Sequence, residues 1–443
     1  MQFAFALVAY GAAVLAVGVF VSRRAVRSPE AFLLGDRRFG RLSSWAAISS
    51  TTIGGSTTLV LAALVAANGL SGLWLDLAGV AGLVFLGLAL AGRVRATGAI
   101  TLAEVIGRSY GPSVRKVAAL LIVLAEIVWF ALLTQATETV VTAATPWPGK
   151  AVLVATAAIF IAYTALGGQR AVVGTDLLQF GLMVFCLLGI ALPSAVVSLG
   201  KTGLPVPLMS FPFSATLGPK DVAALFVLVG LPHAVGSDVW SKLLSARDEA
   251  TARVATLWAA ASKLVFGLAV AAIALAGVAA GQPGGPSLFP RAVLLLSGPA
   301  LAPLLFVAMI ATMQSSSDSV LLSAAGATVH DLLPGRPSPC RLRMFVVLHG
   351  LLGLLVALWL RDLLETFRLG YTIFASGLIL PTLAGFSRRF QVDGRYAATA
   401  MILGGGTAVA AHLLRMRGID PVLVGTAVNA GILSLGFRRR QRS

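Results

Sequence analysis

Charged residues are scarce in this chain, and their scarcity excludes a soluble protein. Only 12% of the 443 residues are charged, roughly half of the share that is usual in soluble domains. Hydrophobic residues reach 58%, and the mean hydropathy of +0.91 reflects the whole chain rather than one anchor. Between the apolar runs the longest polar stretches number roughly 20 residues. No loop is therefore long enough to hold a separate catalytic, kinase or nucleic-acid-binding domain.

Reactive side chains are also few. The chain has four histidines and two cysteines, and it contains neither an H-E-x-x-H zinc motif nor a G-x-S-x-G elbow. The spacing of Cys186 and Cys340 fits neither a metal site nor a disulfide, which favours structural roles. We therefore expect no cofactor, and a membrane-embedded enzyme is the alternative from a different functional class.

Acidic residues are outnumbered, with 17 against 34 lysines and arginines, so the net charge is +17. Such an excess can indicate a nucleic-acid partner. DNA-binding surfaces, however, present a continuous basic patch, whereas these arginines lie between apolar runs. The pattern predicts a membrane protein without a nucleic-acid partner.

Apolar runs long enough to cross a bilayer recur from one end of the chain to the other. Their boundaries are accurate to about four residues. They are 3–22, 42–67, 71–91, 117–142, 150–166, 171–198, 222–240, 252–280, 299–329, 343–360, 365–386, 396–414 and 420–437. These thirteen runs predict an all-α, multi-pass integral membrane protein.

The distribution of basic residues predicts the orientation. The first run has no basic segment before it and is followed by Arg23, Arg24 and Arg27, as in a retained span with its amino terminus outside. With that orientation, the inner loops and the carboxyl tail hold 25 lysines and arginines, and the outer loops hold eight. This bias supports thirteen spans in the cell membrane, with the carboxyl terminus in the cytoplasm.

Two of the predicted spans are interrupted by small or helix-breaking residues. Residues 49–58 read SSTTIGGSTT and residues 230–236 read GLPHAVG. They lie five spans apart, so spans 2–6 and 7–11 would form two inverted units, and such paired breaks mark binding sites in transporters. Close helix packing is the alternative explanation. The candidate substrate-binding residues at these breaks are Gly54, Gly55, Gly230, Pro232 and His233.

The ninth run carries a stripe of hydroxyl groups. At about 100° per residue, the side chains of one face are those of Thr312, Ser315, Ser316, Ser319 and Ser323. Together with carbonyls freed at the first break, these oxygens would suit Na⁺. Hydrogen bonding between helices is the alternative. No other metal site is expected.

Acids within the apolar runs are costly and are functional candidates by default. Asp318 lies at the edge of the stripe, which favours a hydrogen bond to a neighbouring helix. Glu126 and Glu138 have no evident partner. Asp238 and Lys242 are spaced as an i,i+4 ion pair at a helix end.

Four motifs resemble those of the sodium:solute symporter family, which includes proline, pantothenate and sugar cotransporters. Residues 32–40 (FLLGDRRFG) are similar to F-L-x-G-R-x-x-G, and residues 101–111 (TLAEVIGRSYG) to T-x-x-E-x-x-x-R-x-Y-G. Residues 167–179 (GGQRAVVGTDLLQ) resemble G-G-x-x-A-V-x-x-T-D-x-x-Q, and residues 315–322 (SSSDSVLL) resemble S-T-A-D-S-L-L-L. The four occur in the family's order, over residues 32–330.

The resemblance implies a LeuT-like core of ten helices in two inverted repeats, residues 42–198 and 222–386. Residues 1–41 would precede this core and residues 387–443 would add two spans. It implies a sodium site formed by the carbonyls of Ser50, Ile53 and Thr312 and the hydroxyls of Ser315 and Ser316. It also implies that Asp176 assists ion passage, with pairing to Arg170 as the structural alternative.

One departure concerns the substrate. Ala224 and Leu225 lie where the proline transporters have a large aromatic residue, which argues against proline. The expected function is sodium-coupled symport of a small organic solute by alternating access. Proton coupling, uncoupled transport, a channel and a sensor remain alternatives, of which proton coupling would require a titrating group at an ion site that looks neutral.

Overall fold

The computed structural model describes residues 2–22, 28–203, 206–387, 390–416 and 419–439. Helices dominate these residues. The first ten are α1 (Gln2–Ser22), α2 (Pro29–Leu34), α3 (Arg41–Thr52), α4 (Gly55–Asn68), α5 (Trp74–Phe85), α6 (Ala91–Ala96), α7 (Leu102–Tyr110), α8 (Pro112–Ala144), α9 (Gly149–Met183) and α10 (Leu192–Thr202).

The second part of the chain is built in the same way. Its helices are α11 (Pro219–Leu225), α12 (Leu231–Val235), α13 (Ser237–Ser245), α14 (Glu249–Ala279), α15 (Leu288–Gly326), α16 (Pro339–Leu360), α17 (Leu363–Gly385), α18 (Gly394–Leu413) and α19 (Pro421–Leu435). Two short strands, β1 (Phe390–Val392) and β2 (Phe437–Arg439), pair antiparallel.

Within the described residues, nine helical stretches are long and apolar enough to cross a membrane. Two shorter apolar helical segments are also present, Phe5–Ala16 within α1 and Pro421–Leu435, which is α19. Some stretches join two predicted spans: Gly149–Thr202 has 54 residues and covers the runs at 150–166 and 171–198. The kink between those runs lies at Gly168, whose φ is +58°. The predominantly helical architecture is as expected, and the number of thirteen spans stays a prediction.

Both predicted helix breaks are present, and each lies at a glycine. Gly54 separates α3 from α4 with φ −41° and ψ 149°, and Gly236 separates α12 from α13 with φ −51° and ψ 131°. These extended backbone angles end one helix and start the next. Four helix ends, two amino-terminal and two carboxyl-terminal, are thereby placed inside the protein.

The start of α3 and the end of α13 lie at the same face of the molecule. The amide of Arg247 donates to the carbonyl of Phe39 at 3.0 Å, in a short bridge between the two segments. The chain therefore enters the first broken helix and leaves the second at one side, as an inverted repeat requires.

Two of the family-like motifs meet at this face. The positive φ of Gly168 favours a glycine, since other residues rarely adopt it. A Cβ there would also lie 3.0 Å from the ring and the carbonyl of Phe32. Next to this contact, Arg170 forms an ion pair with Asp36. The glycine-rich motif thus holds α2 against the middle of α9.

The motif at residues 101–111 forms a polar cluster around α7. Thr101 accepts from the amide of Glu104 at 3.0 Å and donates to Asp331 at 2.7 Å. Asp331 also forms an ion pair with Arg115 at 2.6 Å. The motif therefore caps α7 and ties it to the segment after α15.

Glu104 is the acid of this cluster. Burial alone would raise its pKa, but hydrogen bonds from His330, the Ile100 amide and Arg108 lower the pKa to about 2. The carboxylate is consequently ionised at neutral pH, which keeps its ion pair with Arg108 intact.

Candidate functional site

The hydroxyl stripe of α15 packs against the carboxyl-terminal end of α3, next to the first helix break. Ser315 Oγ lies 2.8 Å from Ser50 Oγ, and Ser316 Oγ donates to the Thr51 carbonyl at 3.2 Å. A Cβ at Gly54 would overlap Ser316 Oγ, so only glycine allows this approach.

The structure brings several of the predicted sodium ligands together. Ser50, Ser315 and Ser316 are all buried at the contact between α3 and α15. The Thr312 carbonyl accepts from Ser316 Oγ at 3.3 Å, so it belongs to the same cluster. The Ile53 carbonyl, in contrast, accepts from the hydroxyl of Thr58 at 3.0 Å. These groups are oxygen donors, which fits a hard cation, and their role in sodium binding stays a prediction.

Asp176 of α9 belongs to this cluster and is fully buried. Its Oδ1 lies 2.6 Å from Ser315 Oγ, and its Oδ2 lies 3.0 Å from the ammonium of Lys242, which is also buried. The predicted ion pair of Lys242 with Asp238 is therefore wrong, and the alternative pairing of Asp176 with Arg170 is not formed. Lys242 pairs with Asp176 rather than with Asp238, because α13 turns its side chain towards α9, and Arg170 pairs with Asp36.

The expectation that the ion site contains no titrating group is also wrong. Ser315 contacts Asp176 directly, and Lys242 neutralises that carboxylate. The two charged residues are 66 positions apart in the chain, and this separation conceals their contact from the sequence pattern.

A second buried ion pair lies on the other side of the first break. The Lys263 ammonium of α14 is 2.9 Å from Asp76 of α5 and donates to the Thr52 carbonyl at 2.9 Å. A cation near the carboxyl-terminal end of α3 is favourable, because the last carbonyls of a helix carry partial negative charge. The sequence pattern gives Lys263 no role, although a charge within an apolar run is a signal of function.

A central cavity adjoins both breaks. Its lining consists of Thr51, Thr52, Gly54, Trp129, Leu132, Leu133, Pro232, His233, Asp238, Val239, Ser316, Val320 and Tyr371. Three predicted substrate residues, Gly54, Pro232 and His233, are among them. Gly230 instead packs against α5, where a Cβ would lie 2.9 Å from the Ala78 carbonyl. Gly55 is the first residue of α4.

The other intramembrane acids make hydrogen bonds to neighbouring helices. Asp318 accepts from Thr164 of α9 at 2.6 Å, which confirms its predicted contact. Glu126 of α8 accepts from the Ser237 hydroxyl in the second break. Its second carboxyl oxygen is buried without a hydrogen-bond partner in the described part of the chain.

Two comparisons with known proteins give a consistent result. Residues 32–210 match the model of the sodium:solute symporter family. A solved structure described as a substrate-bound outward-open state of a Na⁺-coupled sialic acid symporter, with a novel Na⁺ site, is similar to this chain with a TM-score of 0.81. The match covers 98% of this chain and 97% of that one at 18% identity. No curated protein matches the chain.

These findings confirm the family resemblance predicted from the motifs. The structural match confirms the all-α membrane fold. The family is one of transporters, so the family match favours transport over the membrane-embedded enzyme considered from the sequence.

Proposed function

We propose that this chain, which matches the sodium:solute symporter family over residues 32–210, is a secondary active transporter. It couples the downhill entry of Na⁺ to the uptake of a small organic solute by alternating access. The observation that supports this most directly is the contact between the freed end of α3 and the serines of α15. A cation placed there would join two helices that come from different repeats.

The sodium site would use the oxygens gathered at this contact. The candidates are the carbonyls of Ser50, Ile53 and Thr312 and the hydroxyls of Ser315 and Ser316. The carboxyl-terminal end of α3 adds partial negative charge from its last carbonyls. Asp176 lies at the edge of this site and would assist ion passage, because its carboxylate already contacts Ser315.

Solute would bind in the central cavity next to this site. Gly54 and Ser316 belong to the lining of the cavity and also to the ion site. Sodium binding would therefore order one wall of the solute cavity, which is a physical route to coupling. We place the protein in the cell membrane with its amino terminus outside and its carboxyl terminus in the cytoplasm.

Uptake by purified protein in liposomes tests this proposal. A panel of labelled small solutes is offered under an inward sodium gradient, with equal sodium on both sides, and with potassium in place of sodium. At least one solute should accumulate only under the sodium gradient. Accumulation that is the same in all three conditions would contradict sodium coupling.

Proton coupling is the second candidate, and one observation favours it. The buried pair of Asp176 and Lys242 contains titrating groups at the predicted ion site. If protons drive transport, an inward pH gradient should support accumulation without sodium. The same liposomes under a pH gradient alone distinguish the two coupling ions.

A further inference from the structure

The charges around the two helix breaks do not cancel. Five acids and two lysines lie in this region: Asp76, Glu126, Asp176, Asp238, Asp318, Lys242 and Lys263. Lys242 forms an ion pair with Asp176, and Lys263 forms one with Asp76. In the described part of the chain, the other three acids form no ion pair. An uncompensated carboxylate in a membrane is costly unless a proton or a cation neutralises it.

Only one of these three acids lines the central cavity. Asp238 is half-buried at the cavity wall, whereas Glu126 and Asp318 are fully buried elsewhere. Asp238 Oδ1 accepts from the amide of Val239 at 2.8 Å, in the first turn of α13. The hydrogen bond from this amide and the amino-terminal end of α13 stabilise the ionised carboxylate, whereas burial opposes ionisation. A cation bound in the cavity would offset that cost of burial.

Aromatic rings form another part of the same wall. Trp129 of α8 and Tyr371 of α17 both line the cavity, with ring centroids 5.2 Å apart. Trp129 is 7% exposed, and its indole N–H has no hydrogen-bond partner in the described residues. Aromatic faces attract cations.

A second, larger cavity is also lined by more acidic than basic residues. It lies between α4, α11 and α17, and its volume is about 930 Å³. Its charged and titratable lining residues are Asp221, Asp362, Glu365, Asp420, Arg368, Arg415 and His412. Acids exceed arginines by four to two there, in a chain whose net charge is +17. Such a lining raises the local concentration of cations.

We propose that the transported solute carries an ammonium group, which Asp238 binds against the rings of Trp129 and Tyr371. The inference rests on the proposed transport function and adds the chemical class of the solute. An anionic solute would meet the carboxylate with repulsion. A neutral solute would leave the charge of Asp238 without a partner.

Thermal unfolding of the purified protein in detergent tests this inference with simple ammonium compounds as probes. The probes are choline, ethanolamine, the neutral carbon isostere of choline, and acetate, each titrated in sodium and in potassium buffer. Choline or ethanolamine should raise the unfolding midpoint in a saturable manner. The comparison between them shows whether the ammonium is methylated or primary.

Substitutions of cavity residues test whether the ammonium probe binds in the central cavity. Asp238→Asn should weaken the apparent affinity for the ammonium probe about 10- to 100-fold, as expected for one lost contact to a charged group. Trp129→Leu should weaken it about 2- to 30-fold, and Trp129→Phe should weaken it less because a ring remains. Asp318→Asn is the matched control, since that acid lies outside the cavity, and it should bind the probe normally.

Three results would overturn the inference. They are stabilisation by the neutral isostere equal to that by choline, no stabilisation by either ammonium probe, and equal binding by wild type and Asp238→Asn. If Asp238→Asn does not fold, Asp238→Glu should retain binding, and its failure to bind while folded would count against the inference. Stabilisation by sodium alone tests the ion site separately, so failure of that effect would contradict sodium coupling and not the solute class.

Discussion

Three consecutive serines of α15 have different surroundings, although their side chains are identical. Ser315 and Ser316 face the end of α3. Ser317 instead donates to the Met313 carbonyl of its own helix at 2.9 Å. The difference arises because adjacent residues of a helix point about 100° apart. It makes the three positions a matched set for testing the ion site.

Ser315→Ala and Ser316→Ala should each weaken the activation of uptake by sodium. Removing one oxygen from a site of about five ligands should cost about 1.5–3 kcal/mol, or roughly 10- to 150-fold in affinity. Ser317→Ala should have a much smaller effect. Sodium-dependent uptake or sodium-dependent thermal stabilisation measures this. Small and equal effects at all three positions would show that the serines only pack helices.

The ion pair of Asp176 and Lys242 predicts coupled effects on stability. Asp176→Asn or Lys242→Met alone leaves a buried charge without its partner, which typically costs about 3–5 kcal/mol. The double variant removes both charges and should recover most of that loss. Thermal unfolding midpoints of the four proteins measure the coupling, and additive losses would show that the two side chains do not interact.

The role of Asp176 in ion passage can then be measured in the double variant. If stability is restored there, a raised sodium concentration for half-maximal uptake would reflect the loss of the charged pair rather than misfolding. An unchanged sodium dependence at normal expression would leave Asp176 with a structural role only.

Among the helices, the broken pairs α3–α4 and α12–α13 position the candidate site. Each break places a helix end inside the protein, and neighbouring side chains satisfy the freed carbonyls. Lys263 binds the Thr52 carbonyl, Ser316 binds the Thr51 carbonyl, and Trp240 donates to the Ala234 carbonyl at 2.9 Å. The breaks are therefore stabilised by specific contacts, as backbone polar groups in a membrane must be.

Gly54→Ala should disrupt the first break. The added methyl group would overlap Ser316 Oγ and lie 2.9 Å from the Thr51 carbonyl, so α3 and α15 must separate. We expect sodium activation to be lost, with destabilisation of about 1–3 kcal/mol from overpacking. Gly181→Ala in α9 is the control, because no atom lies within 4 Å of its added methyl group. Normal sodium activation in Gly54→Ala would contradict the placement of the ion site.

Across the described residues, helices from both halves of the chain contribute to one large hydrophobic core. Within it, buried polar groups concentrate where α3, α9, α13 and α15 meet. Apart from the buried Lys242 and Lys263, most basic residues lie in the stretches between the apolar runs, and their distribution predicts the orientation in the membrane.

Cysteine labelling tests the predicted orientation. Cys340 is exposed and Cys186 is buried, so a Cys340→Ser background carries no accessible thiol among the described residues. Gln2→Cys should react with an impermeant reagent in intact cells. Ser443→Cys should react only after permeabilisation, as should Cys340 in the unchanged protein. Labelling of both ends from the same face would exclude thirteen spans.

The membrane class, the helical architecture, the two breaks and the hydroxyl stripe could all be predicted without the structure. These features are local: apolar length, glycine in extended backbone and a period of 3.6 residues are all encoded within a single segment. The contact of Asp318 with another helix could also be predicted from the sequence, because an acid inside the membrane needs a partner.

The pairing of distant residues, in contrast, followed only from the packing of the helices. Lys242 meets Asp176, which is 66 residues away, and Lys263 meets Asp76 on α5, and no periodicity connects these pairs. The cavity wall of Asp238, Trp129 and Tyr371 comes from three helices far apart in the chain. Which charges pair and which residues line a cavity depend on how whole helices pack against each other. These features are therefore decided by the tertiary structure and not by any single segment of the sequence.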